Sequence, residues 1–67
     1  MYIYVNGKLL EIKDNSKIID AFVSLGLDTR NGVAVAVNNH VIPKLNWDVV
    51  VLQPDDKITV IKATQGG

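Results

Sequence analysis

The chain opens on two short runs of strand formers, Tyr2-Ile3-Tyr4-Val5 and Lys8-Leu9-Leu10-Glu11-Ile12, separated by Asn6-Gly7. Asn-Gly between such runs predicts a type I′ hairpin, because that turn needs positive φ at both central positions. A two-residue turn sets Val5 opposite Lys8, Ile3 opposite Leu10 and Met1 opposite Ile12. Residues directly opposite share a face, so one face carries Met1, Ile3, Val5, Leu10 and Ile12. The other carries Tyr2, Tyr4, Leu9 and Glu11. A slip of one residue would mix the two sets, which pins the register.

The period then changes. From Lys17 to Leu25, the residues Ile18, Ile19, Ala21, Phe22, Val23 and Leu25 fall within an arc of roughly 200° at helical spacing. Asn15 or Ser16 is placed to cap this helix, and Gly26 stands where a helix ends in the left-handed conformation. Such a short helix does not persist alone in water, so its apolar side must dock on a sheet. Val33 to Val37 is apolar at every position, which predicts an interior strand lying wholly in the core. After Asn38-Asn39, Val41-Ile42 reads as a short return strand, and Pro43 places it at an edge. His40 reads as a solvated turn residue, and Trp47 as a packing anchor at the rim of the core. Val49 to Leu52 fits a strand or a short buried turn. Gln53-Pro54-Asp55-Asp56 is a turn, in which Asp55 and Asp56 are turn formers rather than a catalytic or metal-binding pair. Lys57 to Ala63 is a last strand, alternating Ile58 and Val60 against Thr59 and Ile61. The order β-β-α-β-β-β predicts an α+β roll, one helix packed across one mixed sheet. Residues 1–63 form the domain and residues 64–67 a flexible tail ending in Gly-Gly.

At 67 residues the chain holds one domain with a marginal core. It has no cysteine and one histidine, so disulfides and cysteine-based metal sites are excluded and apolar packing must stabilise it. Seven basic and seven acidic residues leave no net charge, which removes the electrostatic case for nucleic acid. No run approaches a membrane span, and a cytoplasmic location is expected. No nucleophile and base stand together, so the expectation is a non-enzyme: no catalytic residue, no bound metal and no bound cofactor.

Candidate chemistry lies in Gly66-Gly67. Glycine has no Cβ, so such an end can enter a narrow slot and present its carboxylate on a slim arm. Adenylation would make that carboxylate an electrophile. The pair alone is weak, since about 7% glycine usage supplies it by chance in roughly 0.5% of chains. Its weight comes from following the last strand of a compact roll.

The ordered set Val33-Ala34-Val35-Ala36-Val37-Asn38-Asn39-His40-Val41-Ile42-Pro43-Lys44, then Trp47, Asp56-Lys57-Ile58 and a terminal Gly66-Gly67 resembles the ThiS family, the sulfur carriers of thiamine biosynthesis. The resemblance spans nearly the whole chain and is strongest from Val33 onward. It implies a ubiquitin-like β-grasp fold with the last strand central, beside the first. It also implies that the Gly67 carboxylate is adenylated and converted to a thiocarboxylate, with Gly66 giving access. The implied partners are a ThiF-type adenylyltransferase that uses ATP, a cysteine desulfurase or other persulfide donor, and a ThiG-type thiazole synthase. Lys44 stands where arginine is common, Pro54-Asp55 replaces a glycine before Asp56, and Gln65 stands where small residues are usual. None of these touches the reacting carboxylate. Tyr4 and Leu9, with Ile61 or Thr59 beside them, form the candidate docking surface. Two alternative readings stand beside this resemblance: the small subunit of molybdopterin synthase, which has the same fold and a C-terminal thiocarboxylate but is usually longer and lacks the Asn-…-Ile-Pro-…-Trp pattern, and a non-covalent β-grasp interaction module in which the glycines are incidental.

Overall fold

The structure, a computed structural model, describes residues 1–29 and 32–62. Its elements are β1 (Tyr2–Val5), β2 (Lys8–Glu11), α1 (Ile18–Leu25), β3 (Val33–Val37), β4 (His40–Val41), a 3-10 turn at Lys44–Asn46, and β5 (Lys57–Lys62). The five strands form one sheet in the order β2-β1-β5-β3-β4. The last strand is therefore central, parallel to β1 and antiparallel to β3.

The opening hairpin has the expected register, Val5 opposite Lys8 and Ile3 opposite Leu10. Its turn residues carry φ of 51° at Asn6 and 83° at Gly7, as a type I′ turn requires. Asn38 and Asn39 repeat this, with φ of 50° and 69°, and join β3 to β4. The core gathers Ile3, Val5, Ile12, Ile18, Ala21, Phe22, Val35, Trp47, Leu52 and Ile58. The helix thus closes over the inner face of the sheet, sealed at one side by the segment around Trp47 and Leu52.

The start of the helix departs from expectation. Neither Asn15 nor Ser16 caps it; Lys17 is the capping position and the helix begins at Ile18. Ser16 is buried and its hydroxyl donates to the Lys13 carbonyl at 2.6 Å. The first helical N–H groups find partners elsewhere. Ile18 donates to the Val50 carbonyl and Ile19 to that of Trp47, while Lys17 donates to the Asp20 carboxylate at 2.8 Å. The late loop does the work a side-chain cap would do, satisfying donors that every helix start leaves open. The other end follows the rule: Gly26 sits at φ 66°, and Leu27 donates back to the Phe22 carbonyl at 3.0 Å.

Four further differences have simple causes. Val33 to Val37 is not uniformly core: Val35 is buried, Val33 and Val37 are half-buried, and Ala34 is exposed. Only one face of the sheet is covered by the helix, so alternation returns, with small alanines on the open side. Val23, within the apolar arc, is 76% exposed, because the helix touches the sheet over a narrower stripe than the arc spans. The return strand is His40–Val41 rather than Val41-Ile42, which places His40 opposite Val37 on a strand instead of in the turn. Val49 to Leu52 is neither strand nor compact turn. Val51 makes one antiparallel bridge to Lys17 and Leu52 inserts into the core.

Candidate functional site

The open face of the sheet presents the outward residues of every strand. Tyr4 on β1 lies directly opposite Leu9 on β2, and opposite Lys57 on β5. Thr59 lies opposite Ala36, which lies opposite Val41, and Ile61 lies opposite Ala34. Leu9 is 58% exposed, Ile61 57% and Val41 75%. Tyr4 and Leu9 are therefore brought together as expected, and Ile61 shares their face without touching them. It lies four residues along β5 from Lys57, roughly 13 Å at the rise of an extended strand. Val41 belongs to the same apolar surface, as do the two alanines of β3. Sequence reading missed them because β4 was shifted by a residue and β3 was taken as fully buried.

The terminal glycines follow β5 in the sequence. Gly66 and Gly67 lie outside the described residues, as does Ala63, the last residue of the expected final strand. On one flank β5 pairs with β3 from Ile58 opposite Val37 to Lys62 opposite Val33. On the other flank β1 accompanies it only as far as Val5 opposite Ile58. The last half of β5 thus runs on past the first strand.

Two turn asparagines hold this strand. The Asn38 Oδ1 accepts the Lys57 N–H at 3.0 Å, its Nδ2 donates to Asp56 Oδ1 at 3.0 Å, and its own N–H donates to the Lys57 carbonyl. The Asn6 N–H donates to the Ile58 carbonyl at 2.9 Å, and its Oδ1 accepts the Val60 N–H at 2.8 Å. Asp56 also closes its own turn, Oδ2 accepting the Gln53 N–H at 2.8 Å, with Asp55 at φ 67°. The two aspartates are turn formers. Sequence reading saw both asparagines as turn residues and missed their side-chain work. Positive φ was legible locally, whereas the strand each would hold was not.

Trp47 is an anchor: it is buried, and its Nε1 donates to the Ile42 carbonyl at 3.0 Å. Lys44 donates to the Thr29 carbonyl at 3.1 Å and stands 5.9 Å from the Trp47 ring centre. It therefore ties the 3-10 turn to the loop after the helix, which a lysine manages without a guanidinium fork. Among the described residues no group of three or more His, Asp or Glu is placed to hold a metal ion. No helix among them is long and apolar enough to cross a membrane.

One helix across a five-stranded mixed sheet, with the last strand central beside the first, defines a small β-grasp domain. The sequence profile of the ThiS family matches residues 3–67, and the chain belongs to that family. ThiS proteins are small sulfur carriers. Among solved structures, the chain is similar to the crystal structure of the thiamine biosynthesis protein ThiS from Geobacter metallireducens. That likeness has a TM-score of 0.84 at 20% identity and covers 100% of both chains. A solution structure of a thiamine biosynthesis protein from the same organism gives 0.78 at 20% identity, covering 100% of this chain and 88% of that one. No curated protein matches the sequence.

Proposed function

We propose that this protein carries sulfur for the thiazole of thiamine as a thiocarboxylate on Gly67. The observation that carries the reading is the family match running through residue 67, so that it includes Gly66-Gly67. A central β5 that runs on past β1 just before those residues in the sequence supports it.

The chemistry proceeds in three steps. A ThiF-type adenylyltransferase joins the Gly67 carboxylate to ATP, forming an acyl-adenylate and releasing pyrophosphate. The terminal sulfur of a persulfide, from a cysteine desulfurase or comparable donor, attacks the acyl carbon and displaces AMP. A thiol then cleaves the sulfur–sulfur bond of that acyl disulfide, leaving the Gly67 thiocarboxylate and a new disulfide on the donor side. A ThiG-type thiazole synthase consumes the sulfur. The carrier binds no cofactor or metal of its own and acts in the cytoplasm, without nucleic acid or membrane. Gly66 provides slimness beside the reacting residue. Tyr4 and Leu9, extended across the open face to Ile61 and Val41, form the surface on which the adenylyltransferase docks, since exposed apolar residues gathered on one face mark such sites.

Incubation with a ThiF-type enzyme, ATP and a persulfide donor tests this reading. The expected product is the intact chain with one oxygen exchanged for sulfur, located at Gly67 by fragmentation. A chain recovered unmodified beside a carrier that is converted under the same conditions would refute it.

A further inference from the structure

The parallel ladder between β1 and β5 runs from Tyr4, whose N–H donates to the Asp56 carbonyl, to Asn6, whose N–H donates to the Ile58 carbonyl. At Asn6 the backbone turns away at φ 51° into the hairpin. The next acceptor along β5, due to the Val60 N–H, is not a backbone carbonyl. It is the Asn6 side-chain Oδ1, at 2.8 Å. One asparagine thus does two jobs, making the tight turn and extending the first strand by one rung after its backbone has left.

That rung falls where it matters for the end of the chain. Beyond Ile58 the backbone of β5 has β3 on one flank and no β1 partner on the other among the described residues. The Asn6 bond lies on that otherwise open flank, two residues before Lys62. From Val60 the chain has seven residues to Gly67, a reach of at most roughly 25 Å. How firmly this last described stretch is held decides how well fixed the starting point of the residues after it is.

We infer that Asn6 is a positioning residue for the reaction at Gly67: its side chain fixes the overhanging half of β5, and so the starting point of the arm that a partner must admit. The inference rests on the carrier reading. Without the bond, the ordering of this stretch is completed only on the partner, at a cost to binding. The cost appears in KM and not in the chemical step.

Asn6→Gly and Asn6→Asp form the test. Glycine accepts the positive φ of the turn and removes only the acceptor, whereas aspartate keeps both the acceptor and a tolerance for positive φ. In the free protein, Asn6→Gly speeds exchange of the Val60 amide hydrogen by about tenfold, while amides of the core strands β1 and β3 stay protected. In pyrophosphate exchange catalysed by a ThiF-type enzyme, Asn6→Gly raises the KM for the carrier roughly fivefold with kcat unchanged. Asn6→Asp restores both readings. Faster Val60 exchange with an unchanged KM would overturn the positioning role, as would a fall in kcat alone. Absence of pyrophosphate exchange with the wild-type chain would instead show that the carrier reading has failed, and the role of Asn6 with it; Val60 exchange in the free protein separates that case from a missing bond.

Discussion

The indole of Trp47 meets the ring of Phe22 edge-on, with ring centres 5.0 Å apart and planes at 79°. Phe22 comes from the centre of the helix and Trp47 from the loop that accepts the helix's first N–H groups. The contact therefore adds to the backbone bonds by which that loop holds the start of the helix. Trp47→Ala removes a buried ring and the hydrogen bond to Ile42, a loss of about 3–5 kcal/mol. For a chain of this length, total stability is of the same order. Urea unfolding should show the variant largely unfolded at 25 °C, and a midpoint near that of the wild type would contradict this packing role.

Val23 offers the opposite test. It lies within the apolar arc of the helix yet faces solvent, one turn from Asp20. Val23→Lys should change stability by no more than about 0.5 kcal/mol, with an added weak attraction to Asp20. A drop of several kcal/mol in urea unfolding would mean that the helix buries a wider face.

The open sheet face makes a prediction about partners. Leu9→Asp and Tyr4→Asp put a charge on exposed positions, so thermal unfolding should shift little. If the face docks the adenylyltransferase, each raises the KM for the carrier by about tenfold, the scale of a central contact. Ile61→Asp and Val41→Asp map how far the surface extends. Unchanged kinetics in both Leu9→Asp and Tyr4→Asp would remove this face as the docking site.

The two terminal glycines should separate by role. Gly66→Ala adds a methyl group where slimness is required and slows adenylation, read as a fall in kcat/KM. Deleting Gly67 replaces the reacting carboxylate by one set a residue short, and conversion should be abolished. Full activity of the deletion would place the chemistry elsewhere.

Most of this architecture was legible because it is written in local rules. Asn6-Gly7 determines the hairpin and its register, Gly26 ends the helix, and Ile58 alternates with Thr59 on the last strand. The misreadings share one cause. The cap at Lys17 depends on Val50 and Trp47, which reach the helix start only after the chain has folded back, and no local pattern announces them. Ala34 and Val23 were assigned to the core because they are apolar, but their burial depends on what stands across from them. The same holds at the site. Tyr4 and Leu9 follow from the hairpin register, whereas the bond from Val60 to Asn6 spans 54 residues and exists only because β5 inserts beside β1.

The central claim, that Gly67 carries sulfur, is tested most directly by the intact mass of the protein isolated from its own cells under conditions that demand thiamine synthesis. A fraction of the chains should be heavier by one oxygen-to-sulfur exchange, mapped to Gly67 by fragmentation. Chains that carry only an unmodified Gly67 carboxylate, in cells actively making the thiazole, would contradict the account.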